Sequence, residues 1–203
     1  MTKDLQGAEA HVPIAVLDDD ADLAASVARM LARCGHRARA FTQPADLLAA
    51  LEGADFECVV SDVQLGAMDG FALAEAVRGR DPDIALVFMT AWPTTSHAVD
   101  AVRRHGGVDY LEKPLDEERL VAAVGEGRAW AQRARQRGAA LAMFTRRERE
   151  VLDLLVLGHS NKEVAEILAI SARTVEDHRA AIMGKSGARG LAQLVALARG
   201  EGA

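Results

Sequence analysis

Five polar side chains in the first part of the chain each follow a short apolar run, and together they suit phosphoryl chemistry. Asp18 and Asp19 follow Ile14-Ala15-Val16-Leu17, and Asp62 follows Val59-Val60-Ser61. Thr90 follows the run from Ile84 to Met89, and Lys113 follows Tyr110-Leu111-Glu112. Clustered carboxylates hold a hard divalent cation such as Mg²⁺ (or Mn²⁺) through oxygen. A carboxylate oxygen whose charge is so offset can attack phosphorus and carry an acyl phosphate. An ammonium and a hydroxyl beside it would balance and hydrogen-bond the transferred oxygens. Taken singly, each residue has a plainer reading: acids after strands cap helices, threonine favours strands, and lysine is usually a solvated charge. Their joint occurrence in this order is what points to chemistry.

The five converge only if the apolar runs are parallel strands whose carboxyl ends share one crevice. Strand-like and helix-like segments do alternate over residues 12–125, the pattern of repeated βα units. A helix from Asp22 to Cys34 places Leu23, Val27, Met30, Leu31 and Cys34 on one face, and Gly35 stops it. Arg37 to Phe41 reads as an edge strand. Thr42 or Gln43 opens the next helix, with Pro44 in its first turn and Leu47, Leu48 and Leu51 facing inward. Gly70–Arg78 and Thr95–Arg104 are the next two helices, and Asp116 caps a fifth that runs through Leu120, Val121 and Val124. The Ala/Arg-rich stretch over 126–143 reads as a solvated, partly helical linker rather than a nucleic-acid arm. From Thr145 the pattern is all helical: Thr145–Leu157, Asn161–Leu168, Ser171–Met183 and Leu191–Arg199.

Composition agrees with two domains. The 203 residues exceed one small core, and a hydrophobic share of 50% argues against wholesale disorder. Residues 1–125 hold 11 basic and 21 acidic residues, a balance of −10, whereas residues 145–203 hold 9 and 8, a balance of +1. The acidic part cannot favour nucleic acid, while the last part does not repel it. Only Cys34 and Cys58 occur, and both read as buried, reduced thiols. Met1–His11 is polar and unlike a secretory signal, and no apolar run approaches the ~20 residues of a membrane span. The expected location is cytoplasmic, with no membrane partner.

Val16-Leu17-Asp18-Asp19-Asp20, Ser61-Asp62-Val63 with Gly70 eight residues after Asp62, Met89-Thr90-Ala91 and Glu112-Lys113-Pro114 resemble the receiver domain of two-component response regulators. The resemblance implies a flavodoxin-like, doubly wound, five-stranded parallel sheet over 12–125. It makes Asp62 the phosphoacceptor and Asp18 and Asp19 metal ligands, with Asp20 a possible third acid. Asp62 and the Gln64 backbone carbonyl would complete the Mg²⁺ site. Thr90, Ala91 and Lys113 would bind the phosphoryl group, Tyr110 would be the rotating switch aromatic, and Lys113–Pro114 is a candidate cis bond. Two departures stand out. Gly66 replaces the family's usual proline, which suggests a freer loop. Trp92 stands where smaller or polar groups are common; with Gln64 it could shield the phosphoryl group from water, or it could serve packing or a partner contact.

Farther on, Phe144-Thr145-Arg146-Arg147-Glu148-Arg149-Glu150-Val151-Leu152, Asn161-Lys162-Glu163-Val164-Ala165 and Ser171-Ala172-Arg173-Thr174-Val175-Glu176-Asp177-His178-Arg179 resemble the LuxR/FixJ-type helix-turn-helix domain. Val151, Leu152, Leu155, Val164, Ile167, Leu168, Val175 and Ile182 repeat at helical spacing and are expected in a small four-helix core, with Glu148 in an internal ion pair. By this resemblance Asn161, Lys162, Thr174, Arg179 and Lys185 are candidate phosphate contacts, and Glu176, Asp177, His178 and Ala180 face or border base edges. Asp177 departs from the apolar residue many relatives carry; it could accept from cytosine N4 or repel phosphates. The implied whole is a transcription factor, not an enzyme beyond its own phosphoryl transfer. A sensor histidine kinase would act on Asp62, a homodimer would follow, and promoter DNA and RNA polymerase would be partners. Two other readings stay open: an aspartate-nucleophile phosphohydrolase, because Asp18-Asp19-Asp20 contains D-x-D, and a regulator that works unphosphorylated.

Overall fold

In the computed structural model, residues 14–66 and 68–200 are described; the polar Met1–His11 segment lies outside them. The chain divides into two compact units, Met1–Ala131 and Gln132–Ala203.

In the first unit, strands β1 (Ile14–Leu17), β2 (Ala38–Phe41), β3 (Cys58–Asp62), β6 (Ala85–Thr90) and β7 (Asp109–Glu112) form a parallel sheet in the order β2-β1-β3-β6-β7. The two remaining strands, β4 (Gln64–Leu65) and β5 (Met68–Asp69), pair antiparallel as a small ribbon after β3. Helices α1 (Ala21–Arg33), α2 (Pro44–Ala50), α3 (Gly70–Arg78), α4 (Thr95–Arg103) and α5 (Glu117–Ala142) connect and follow the strands.

Strand alternation decides which helix covers which face. Ile14 and Val16 pack with Val27 and Leu31 of α1 and Leu120 and Val124 of α5. Ala15 and Leu17 pack with Leu47 of α2, Leu73 and Val77 of α3, and Ala101 of α4. The sheet is thus covered on both faces, which explains why its central strands are apolar throughout rather than alternating. Strand order reverses between β1 and β3, the switch point where such sheets open a crevice.

Two expectations are corrected here. Cys34 is exposed, while Cys58 is buried. Helix α1 ends one residue earlier than its apolar spacing suggests, and Cys34 becomes its C-cap, turned off the buried face. The second is one of extent: the 126–143 stretch, read as partly helical and solvated, is a direct continuation of α5, which runs unbroken from Glu117 to Ala142 with Ala131 and Ala134 buried. Small alanines bury without a long apolar stripe, so hydropathy alone understates that helix. Arg78 helps hold α5 within the first unit. It donates to the carbonyls of Pro82 and Gly106 at 2.8 and 2.6 Å, and its guanidinium stacks 5.0 Å from the Trp130 ring.

The second unit contains α6 (Arg146–Val156), α7 (Asn161–Ile167), α8 (Ala172–Ser186) and α9 (Leu191–Arg199) around Val151, Leu152, Leu155, Val164, Val175, Ile182 and Leu194. Thr145–Glu148 and Ser160–Glu163 form capping boxes, so both helix starts are written locally. Ile167 is corrected from core to surface: it is 53% exposed, and Ile170 packs on the core instead. The α7–α8 turn moves the apolar position three residues along, because Ala169 takes a left-handed φ of 52° and reverses the chain there.

Candidate functional site

Leu17 lies opposite Ser61 in the β1–β3 register, so Asp18 and Asp62, the next residue on each chain, emerge side by side. Asp62 lies opposite Met89, which brings Thr90 to the same end, and Thr90 lies opposite Glu112, which brings Lys113. The expected convergence is therefore a consequence of parallel register.

Asp18 is 1% exposed, Asp62 7% and Thr90 1%. The Lys113 ammonium donates to Asp18 Oδ2 and to Asp62 Oδ2, each at 2.7 Å. Burial pushes the Asp18 carboxyl above its usual range, although the hydrogen bond from Lys113 opposes this. Burial would likewise lower the Lys113 ammonium, but its hydrogen bonds to Asp18 and Asp62 outweigh that and hold it above its usual value. One lysine thus faces two acids, and Asp19 adds a third. Carboxylate oxygens of Asp18, Asp19 and Asp62 all lie within 4.8 Å of one another. Two buried acids and one exposed acid, with one ammonium among them, leave a surplus of negative charge and oxygen donors. That donor set fits a hard divalent cation.

Asp20 does not join it. Its carboxylate accepts from the Asp22 and Leu23 amides at 2.9 and 3.1 Å and caps α1, so its role is structural. Gln64 donates its backbone amide to Asp62 Oδ1 at 3.2 Å, and its side chain is exposed. An open cleft bordered by Asp19, Asp62, Gln64, Gly66 and Asp69 adjoins the acids. Gly66 has φ of 67°, a conformation closed to proline, so the loop follows a built left-handed turn rather than a loosened proline path. Gly70 is required by contact: an added Cβ would stand 2.4 Å from the Asp62 carbonyl oxygen. That is the physical content of a glycine eight residues after the acid.

Thr90 Oγ1 accepts from the Trp92 amide at 3.1 Å. The Trp92 indole is 69% exposed and covers little of the crevice in this conformation. Ala91 is exposed beside Thr90. The Tyr110 hydroxyl is buried without a hydrogen-bond partner among the described residues. The Lys113–Pro114 peptide is cis.

In the second unit, α8 is the second helix of the helix-turn-helix, and its residues divide by contact. Glu148 is buried, and both its oxygens accept from Lys185, at 2.9 and 2.6 Å. The hydrogen bond from Lys185 and that from the Thr145 amide hold the Glu148 carboxyl below its usual range. Lys185, expected as a phosphate contact, is therefore engaged by an internal acid. Arg179 donates to Asn161 Oδ1 at 3.2 Å and joins α8 to α7. Thr174 Oγ1 lies 2.8 Å from Ser171 Oγ at the α8 cap. Lys162, Glu176 and Asp177 are exposed, and His178 is half-buried. Sequence reasoning missed Arg173, which pairs with Glu176 and Asp177 at 3.7 and 3.6 Å. Its three- and four-residue spacing was the available signal. Arg147 was also missed; it donates to the Leu168 carbonyl at 2.8 Å and ties α6 to the end of α7.

An acidic crevice with one lysine at the switch point of a doubly wound sheet, followed by a helix-turn-helix, defines a response regulator that acts on transcription. Comparison with known proteins agrees. The response regulator receiver domain family matches residues 14–125, and bacterial regulatory proteins of the luxR family match residues 142–198. The transcriptional regulatory protein FixJ of Bradyrhizobium diazoefficiens is 35% identical over 192 residues, covering 91% of this chain and 93% of that one. FixJ of Azorhizobium caulinodans is 36% identical, with 92% of each chain covered. The crystal structure of full-length FixJ from B. japonicum matches with a TM-score of 0.54 at 35% identity, covering 94% of this chain and 97% of that one. The chain belongs to the response regulators that join a receiver domain to a LuxR-type DNA-binding domain. It is a transcription regulator. Among the described residues, no helix is long and apolar enough to cross a membrane.

Proposed function

We propose that a sensor histidine kinase phosphorylates Asp62 and that this modification controls dimerisation and promoter binding. The observation that carries the reading is the Lys113 ammonium shared between Asp18 and Asp62 at 2.7 Å each, beside buried Thr90. An Asp62 oxygen attacks phosphorus, the P–N bond of the donor phosphohistidine breaks, and the imidazole leaves. Lys113 stays protonated, because its two acid partners hold it so, and follows the new charge from carboxylate to phosphoryl oxygen. The Thr90 hydroxyl, which accepts from the Trp92 amide, can donate to a phosphoryl oxygen. Movement of Thr90 would leave room for the Tyr110 ring, whose hydroxyl lacks a partner, to change position.

Asp18, Asp19, Asp62 and the Gln64 carbonyl would hold Mg²⁺ (or Mn²⁺), which when bound offsets the repulsion between carboxylate and incoming phosphoryl oxygens. The working division is a receiver over 12–125, a helical linker over 126–143 and a DNA-binding domain over 144–203, with RNA polymerase a further partner. A dimer gains DNA affinity through effective concentration, which suits a C-terminal segment with a balance of only +1 over 145–203.

The test is incubation of the full chain with acetyl phosphate and Mg²⁺, followed by intact mass and peptide mapping. The expected result is one phosphoryl group on Asp62, lost in Asp62→Ala and on chelation. Label on Asp18 would instead support the phosphohydrolase reading. Full promoter activity of Asp62→Ala would support a regulator that works unphosphorylated.

A further inference from the structure

Helix α8 has an exposed stripe that includes Arg173, Glu176, Asp177, Ala180 and Gly184, opposite buried Val175 and Ile182. Of the three Lys and Arg side chains on α8, Arg179 is joined to Asn161 and Lys185 to Glu148. Arg173 differs. Its side chain is 80% exposed near the helix N-terminus, the part of a recognition helix that reaches base edges. Its Nε faces Asp177 Oδ1 at 3.6 Å, and its Nη1 faces Glu176 Oε2 at 3.7 Å.

Two carboxylates on this stripe need a reason. Exposed intrahelical pairs of such length add little to a helix, and acids on a groove-facing surface oppose phosphate binding. What they supply is a bias on the direction of a long, flexible side chain, since both acids flank the Arg173 guanidinium. With Nε beside Asp177, the outer Nη1–Nη2 edge is the one to reach outward, Nη1 exchanging its 3.7 Å contact with Glu176 for a base acceptor. That edge matches the O6 and N7 acceptors of guanine in the major groove. The rest of the stripe is bare. A Cβ at Gly184 would meet nothing within 4 Å, so the protein's own packing does not require glycine there. Yet glycine inside a helix is less favourable than alanine. Ala180 and Gly184 let the helix lie close to a partner.

We propose that Arg173 is the guanine-reading side chain of this protein, with Asp177 and Glu176 as positioning residues that aim it. The inference rests on the DNA-binding function above and deepens it. It also gives Asp177 a role other than contact with cytosine or repulsion of phosphate.

The experiment is selection from a randomised duplex DNA library by the phosphorylated full chain, in parallel with Arg173→Ala, Asp177→Val and their combination, each checked by circular dichroism. The parent is expected to enrich a motif containing a fixed G·C pair. Arg173→Ala should lose the preference at that pair alone, with affinity for the selected duplex falling roughly 5- to 150-fold and affinity for a random duplex changing little. Asp177→Val should relax the same pair less, and the combined variant should match Arg173→Ala, because Asp177 acts through the arginine. Rescue of the preference by Asp177→Glu would support positioning. Arg173→Ala that weakens all duplexes equally and flattens the salt dependence would overturn the proposal and make Arg173 a phosphate contact. A parent that enriches no sequence yet binds duplexes would overturn base reading alone, and a parent that binds no duplex would overturn the DNA-binding function itself.

Discussion

Both units of this protein bury a carboxylate against a lysine, and the difference between the two pairs separates a site from a scaffold. In the DNA-binding unit, Lys185 meets Glu148 alone, and the acid's remaining capacity accepts from the Thr145 amide at 2.7 Å. Charge is matched and both carboxylate oxygens accept hydrogen bonds, so the pair serves to join α8 to the start of α6. In the receiver, Lys113 is divided between Asp18 and Asp62 with Asp19 alongside. There charge is unmatched beside an open cleft. The same chemistry becomes functional where acid is left in excess.

The comparison can be broken most severely at Lys113. Lys113→Met leaves two adjacent buried acids without their cation. The receiver should lose about 2 kcal/mol, toward the low side for a buried pair because the lysine retains some solvent contact. Phosphorylation from acetyl phosphate should become undetectable. Urea denaturation with and without Mg²⁺ checks it: the cation should restore stability to the variant more than to the parent.

The two units should also answer pH with opposite sign. Glu148 is held below the ordinary glutamate value of 4.5, so its contribution to stability is present above that value and is lost as pH falls through its lowered one. Asp18 is held above the ordinary 3.8, so its contribution is greatest below that value and disappears as pH rises through the raised one. Acidification from neutral should therefore loosen the DNA-binding unit through Glu148 while relieving the receiver at Asp18. Hydrogen exchange of the full chain, resolved by segment, measures this, and Glu148→Gln should flatten the acid response of α6 and α8 only.

Turn chemistry sharpens the same contrast at smaller size. The receiver uses Gly66 for its left-handed position, whereas the DNA-binding unit places Ala169 at φ of 52°. Ala169→Gly should stabilise the second unit by about 1 kcal/mol, seen as a raised melting temperature. DNA affinity should fall modestly if the rigid turn helps aim α8. Smallest is Trp92→Ala. With the indole already 69% exposed, a modest shortening of the lifetime of phosphorylated Asp62 is expected, and an unchanged lifetime assigns Trp92 to packing or partner contact instead.

Much of the receiver was legible because parallel register is simple. Apolar runs locate the strands, and the residue after each run must appear at one edge. Capping boxes made the starts of α6 and α7 equally plain. The failures have a common cause. Cys34 and Ile167 were each assigned from spacing along one element, but their surroundings depend on a second element or on where a helix stops. Helix α5 was understated for the converse reason, since buried alanines give little hydropathy signal.

The sequence alone determined the two-part organisation, the doubly wound order of the first part and the identity of the acids, hydroxyl and lysine at its crevice. Those properties follow from local periodicity and from chain connectivity. Only the tertiary structure decided which charges are matched and which are in excess: Lys185 neutralises Glu148, and Lys113 is divided between two acids. A charge acquires its role from the partner within hydrogen-bonding or ion-pairing distance, and that partner is often far away along the chain.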